Sequence, residues 1–145
     1  MSAGNSLSRS IAAARGARPL AIIRGMSFST EPANGRRLDP ASKSLEETVR
    51  EALSQTGILP EQAGALCAYG DAARLRQLMA RVCPVWAKRV VTVAEHTGLL
   101  EGAQPLFDLA TALAASENPA NAPFILAIVS SPQGVNAAVV FQNSM

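Results

Sequence analysis

His96 is the one histidine of this 145-residue chain, and Cys67 and Cys83 are its two cysteines. These are the side chains with which nucleophilic or metal chemistry would begin. A catalytic imidazole needs a nucleophile on one side and an orienting group on the other. Zinc needs several thiolate or imidazole ligands at close spacing. His96 has no second histidine or cysteine four residues away, and the cysteines form no Cys-x-x-Cys. Helical periodicity puts His96 in the last turn of a helix, where the carbonyl end favours its cationic form. The same periodicity puts both cysteines at the edges of apolar faces, where a thiol behaves as a small hydrophobe. Glu46 and Glu47 are adjacent carboxylates, but neighbours on a helix diverge by about 100° and cannot converge on one substrate. The chain has no dinucleotide glycine fingerprint, no phosphate loop ending in Gly-Lys-Ser/Thr and no nucleophile elbow. The expectation is therefore no catalytic residue, no cofactor and no metal, with a small matrix enzyme of unrecognised site kept as an alternative.

Charge offers the other functional lead. The chain carries 13 basic and 11 acidic residues. Between residues 72 and 94 lie Arg74, Arg76, Arg81, Lys88 and Arg89 and no acidic residue, while both flanks are acidic. Such a block can meet RNA phosphates, anionic lipid headgroups or an acidic protein. It can equally be neutralised by the flanks of its own chain. RNA platforms add exposed aromatics for stacking, and here Tyr69 and Trp86 are the only ones near.

The elements that would position these residues read as mainly α. Residues 31–43 hold two prolines, a glycine and scattered charges, and read as a linker. Ser44 and Glu47 form a capping box. Leu45, Val49, Ala52 and Leu53 then make one apolar stripe, with Glu46 and Arg50 paired outside it. Thr56-Gly57-Ile58 ends that helix. A second helix is expected from Pro60, with Leu59, Ala63, Leu66 and Cys67 on one side. Asp71 caps a third, whose Leu75, Leu78, Met79 and Val82 keep an i, i+3, i+4, i+7 spacing. A fourth begins at Pro84, with Trp86, Val90, Val93 and Ala94 inward, and a fifth at Pro105. TGIL at 56–59 recurs as TGLL at 97–100, a spacing compatible with a duplicated helical pair.

After Glu117 no residue is charged. Residues 123–129 and 135–141 are strand-length apolar runs flanking Ser131-Pro132-Gln133-Gly134, with proline and glycine where a β-turn places them. The fold expected is a small bundle of about five short helices with a possible C-terminal β-hairpin. An isolated hairpin is marginal in water, so Phe124, Ile125, Ile128, Val139 and Phe141 are candidates for a protein-interaction segment.

The first 30 residues contain four arginines, many alanines and serines, and no acid. That is the composition of a transit peptide, mitochondrial or alternatively plastid. Arg24, Met26 and Ser27 resemble a processing site with arginine three residues before the cut. The division expected is a cleaved segment 1–26, a linker 27–43 and a helical domain 44–145 whose tail, 118–145, is uncharged. Together these features suggest a non-catalytic structural or accessory subunit of a mitochondrial assembly such as a respiratory complex, ATP synthase or mitoribosome. It would sit in the matrix or on the matrix face of the inner membrane, with peripheral membrane association at most. An RNA- or anionic-lipid-binding module using residues 74–89 is the second reading.

Overall fold

The computed structural model describes residues 10–19, 21–31, 43–59, 62–82, 84, 90–91, 110 and 124–143. A short helix α1 at 10–14 precedes strand β1 (Ala21–Thr30). Helix α2 (Lys43–Ser54), strand β2 (Ala63–Tyr69), helix α3 (Ala72–Val82) and strand β3 (Val90–Val91) follow, and β4 (Phe124–Ser130) and β5 (Val135–Asn143) complete the series. The five strands form one mixed sheet in the order β1-β5-β4-β2-β3. β2 runs parallel to β3 and β4, whereas β5 is antiparallel to both β4 and β1. The expected mainly-α bundle is therefore corrected to an α/β architecture.

The core forms where one face of the sheet meets α2 and α3. Leu126 and Val140 are registered partners, as are Ile128 and Ala138. All four are buried against Leu45, Val49, Ala52 and Leu53 of α2 and Leu75, Leu78, Met79 and Val82 of α3. Those two helical stripes are the ones the 3.6-residue spacing predicts. Asp71 caps α3 as expected: its Oδ1 accepts from the backbone N–H of Ala73 at 2.9 Å and of Arg74 at 3.2 Å. Gly57 takes φ +69° just past α2, and Ile58 folds back against the core. The Ser44 hydroxyl, expected to cap α2 reciprocally with Glu47, bonds instead to the Ser29 hydroxyl at 2.9 Å.

The second expected helix is strand β2. Its sequence, AGALCAY, has no charged residue to face solvent on a helix, and an unbroken apolar run is common in parallel strands. Val90, expected on the inner side of a fourth helix, pairs with Leu66 in β3. Of the fifth expected helix, the described residues include Ala110, which is helical; the TGLL half of the repeat, His96 and Cys83 lie outside them. Cys67 lies within β2. No helix among the described residues is long and apolar enough to cross a membrane.

β1 occupies sequence expected to belong to an import tag and linker. It pairs with β5 from Ala21↔Asn143 to Thr30↔Val135, with a bulge between Ile23 and Gly25. Gly25 lets α2 approach: a Cβ there would stand 2.3 Å from the Ala52 carbonyl oxygen and 2.8 Å from Thr56 Cγ2. The strand's inward positions are small or polar, namely Gly25, Ser27 and Ser29. Its outward positions include the exposed Met26 and Phe28. The hydrophobic alternation is thus inverted relative to an ordinary half-buried strand, which explains why the period-2 signal fails there. A cut before Ser27 would fall inside this strand.

Candidate functional site

In open α/β sheets, ligands sit beyond the carboxyl ends of the strands. Here the carboxyl ends of parallel β2 and β4 come together at Gly70 and Ser130. Gly70 has φ +141°, and a Cβ on it would lie 2.7 Å from the Ser130 carbonyl oxygen. Glycine is therefore required both by conformation and by close approach.

Beside this junction lies a cluster of buried polar side chains. Glu31 follows the last residue of β1, Arg74 sits in the first turn of α3, Ser130 ends β4 and Asn136 lies near the start of β5. All four are buried. Arg74 donates through Nη1 to the Ser130 hydroxyl at 2.7 Å and through Nη2 to Glu31 Oε1 in an ion pair. Glu31 Oε1 also accepts from Asn136 Nδ2 at 2.9 Å. Asn136 lies opposite Ser29, whose hydroxyl is 2.6 Å from Thr48 Oγ1 on α2. The Glu31 backbone N–H donates to the Gly134 carbonyl at 2.7 Å, tying the end of β1 to the β4–β5 turn. One ion pair with its hydrogen bonds thus joins three strand ends, one turn and the start of a helix.

Two acceptors in the cluster, Glu31 Oε2 and Asn136 Oδ1, are buried without a hydrogen-bond donor. Buried acceptors in native proteins are nearly always satisfied. The pair suits a donor such as a water molecule, a hydroxyl or an N–H group, not an anion.

Among the described residues, the arginines of the basic block face different partners. Arg74 is buried against Glu31. Arg76 is exposed. Arg81 turns to α2, where its Nε lies 3.0 Å from Glu46 Oε2, while Arg50 holds Glu46 Oε1 at 2.8 Å. Lys88 and Arg89 lie outside the described residues. The candidate interaction segment divides as well: Ile125 and Ile128 are fully buried, and Phe124, Val139 and Phe141 are half-buried. Arg24, Met26 and Ser27 lie in β1. Sequence reasoning missed Glu31, Ser130 and Asn136. The one available signal was an asparagine set among the apolar residues of VNAAVVF.

Glu46 links α2 to α3, and its carboxyl is held below the usual range, first by the Arg81 hydrogen bond and then by Arg50. A lowered folded-state pKa gives stability that is present above the unfolded value and lost as pH falls through the folded one. Because both arginines are substantially exposed, the contribution should be on the order of 0.5 kcal/mol. Thermal melts of Glu46→Gln should therefore lie slightly below wild type at neutral pH and converge with it in acid. A constant gap at all pH values would contradict this.

No family model and no curated protein matches the chain. Solved structures do match. The chain superposes on a β-ketoacyl synthase from Burkholderia phymatum STM815 with TM-score 0.69 and 16% identity, over 94% of this chain. The chain folds like part of a β-ketoacyl synthase. Ketosynthase twelve of the bacillaene polyketide synthase from Bacillus amyloliquefaciens gives TM-score 0.68 at 16% identity, again over 94% of this chain. The 3-oxoacyl-[acyl-carrier-protein] synthase III of Aquifex aeolicus VF5 gives 0.65 at 17%, over 87%. This chain spans 40%, 32% and 46% of the lengths of those three chains. The likeness replaces the expected helical, non-catalytic accessory subunit with the ketosynthase α/β fold.

Proposed function

We propose that this chain contributes to an acyl-condensing unit of the β-ketoacyl synthase kind, acting on an acyl group presented by a carrier protein. The observation that carries the reading is the fold match over 94% of the chain. The convergence of the β2 and β4 carboxyl ends on a polar cluster supports it, because that is where an α/β sheet offers its ligand crevice. Among the described residues no nucleophile stands beside a base. The reacting groups would then come from the remaining residues of this chain or from a second polypeptide that completes the unit.

The test is an NMR titration of the isotope-labelled chain with a carrier protein bearing a short acyl group. Amide shifts should concentrate at Gly70, Asp71 and residues 130–136, and should be weaker with the unacylated carrier. A spectrum unchanged by a large excess of acylated carrier would sink the proposal.

A further inference from the structure

The two orphaned acceptors of the buried cluster belong to side chains that are bonded to each other. Asn136 donates from Nδ2 to Glu31 Oε1 at 2.9 Å, and the atoms left without a donor are the companions of those two, Asn136 Oδ1 and Glu31 Oε2. Glu31 is 7% exposed and Asn136 0%, so bulk solvent does not reach the orphaned oxygens. A buried acceptor with no donor is costly, and native folds seldom keep one.

We infer that the cluster holds one internal water molecule, which donates one O–H to Glu31 Oε2 and the other to Asn136 Oδ1. Each orphaned oxygen shares a carbon with an atom of the Nδ2–Oε1 contact, so one small molecule can serve both. The proton count fits, because two acceptors use both protons of a single water. The Ser130 hydroxyl accepts from Arg74 at 2.7 Å and keeps a proton of its own to give to the water oxygen. Three hydrogen bonds are the usual complement of a buried water. Charge selects against other occupants. The Glu31 carboxylate and the Arg74 guanidinium already neutralise each other. A cation would bury an uncompensated positive charge, and an anion would face two acceptor oxygens. A small neutral donor meets neither cost. The water would tie Glu31, just past β1, to Asn136 of β5, beside the backbone bond from Glu31 N–H to the Gly134 carbonyl. The inference does not depend on the condensing role, since hydration is measured without substrate.

Magnetic relaxation dispersion of water oxygen in a solution of the full chain counts long-lived internal waters, and a crystal structure locates them. Wild type should show a dispersion, and the density should hold one water within hydrogen-bond reach of both Glu31 Oε2 and Asn136 Oδ1. Asn136→Leu should lower the dispersion amplitude by the equivalent of one water. Glu31→Met combined with Arg74→Met removes the carboxylate and its counter-charge together. It should lower the amplitude equally, and it carries the test if the leucine variant does not fold. An amplitude unchanged in a folded variant, or wild-type density with no water at that position, would overturn the site. Two further measurements separate the occupants. Crystals soaked in a thallium salt should give no anomalous peak at the cluster, whereas a peak there would replace the water with a monovalent cation. Infrared spectra of wild type and Glu31→Gln should show no protonated-carboxyl band belonging to Glu31. Such a band would mean that Glu31 itself carries the proton that serves Asn136, and the water would then be superfluous.

Discussion

Arg74→Met is expected to destabilise the protein by about 3–5 kcal/mol, the usual result of removing one partner from a buried ion pair. That is a large share of the roughly 5–15 kcal/mol of an ordinary domain. The loss would not come mainly from a missing attraction. Glu31 is buried, with Oε2 already lacking a donor, and the variant would leave its charge to Asn136 alone. The Ser130 hydroxyl would lose its donor as well. Adding Glu31→Met should recover most of the loss, since a buried pair replaced by well-packed apolar residues is often near neutral. Urea unfolding of the two single variants and the double variant measures this directly. A loss below about 1 kcal/mol for Arg74→Met would show that the cluster does not hold the strand ends together.

Deleting residues 1–26 should have an effect as large. The deletion removes the β1 residues that pair with Asn143, Gln142, Phe141, Val140 and Val139, more than half of the β1–β5 ladder. It also removes Gly25, against which the last turns of α2 rest, and opens one flank of the fully buried Val140. Four residues of β1 would remain, fewer than the usual strand length. The shortened chain should lose its cooperative thermal transition or melt at least ~10 °C lower, given the usual few-degree shift per kcal/mol for a domain this size. If it melts as the full chain does, β1 is not a structural member of the sheet. Such a result would also restore the cleaved-segment reading of Arg24, Met26 and Ser27.

The elements legible in the sequence were those whose information is local. α2 and α3 could be placed because Leu45, Val49, Ala52 and Leu53, and likewise Leu75, Leu78, Met79 and Val82, repeat at the helical period. Gly57 and Asp71 mark two helix ends. The turn at 131–134 was legible from proline and glycine at fixed offsets, and its Gly134 N–H does bond the Ser131 carbonyl at 3.0 Å. β2 was not legible, because a short apolar run has no period to separate a buried strand from a helix. β1 was not legible as a strand for a stronger reason. Its inward positions are glycine and serine and its outward positions are large and apolar, the reverse of the usual pattern.

The site was less legible still. Glu31 and Asn136 are 105 residues apart, and Arg74 is 43 residues from Glu31. Nothing in the spacing joins them. The basic block was real as composition, but a charge count does not say whether an arginine faces water or a buried carboxylate. Sequence alone therefore determined two amphipathic helices, their ends and a C-terminal turn, because each depends on residues a few positions apart. Tertiary structure decided the sheet order, the burial of Arg74, the inverted face of β1 and the likeness to ketosynthases. Each of these depends on which distant segments pair, and that is fixed by packing rather than by local pattern.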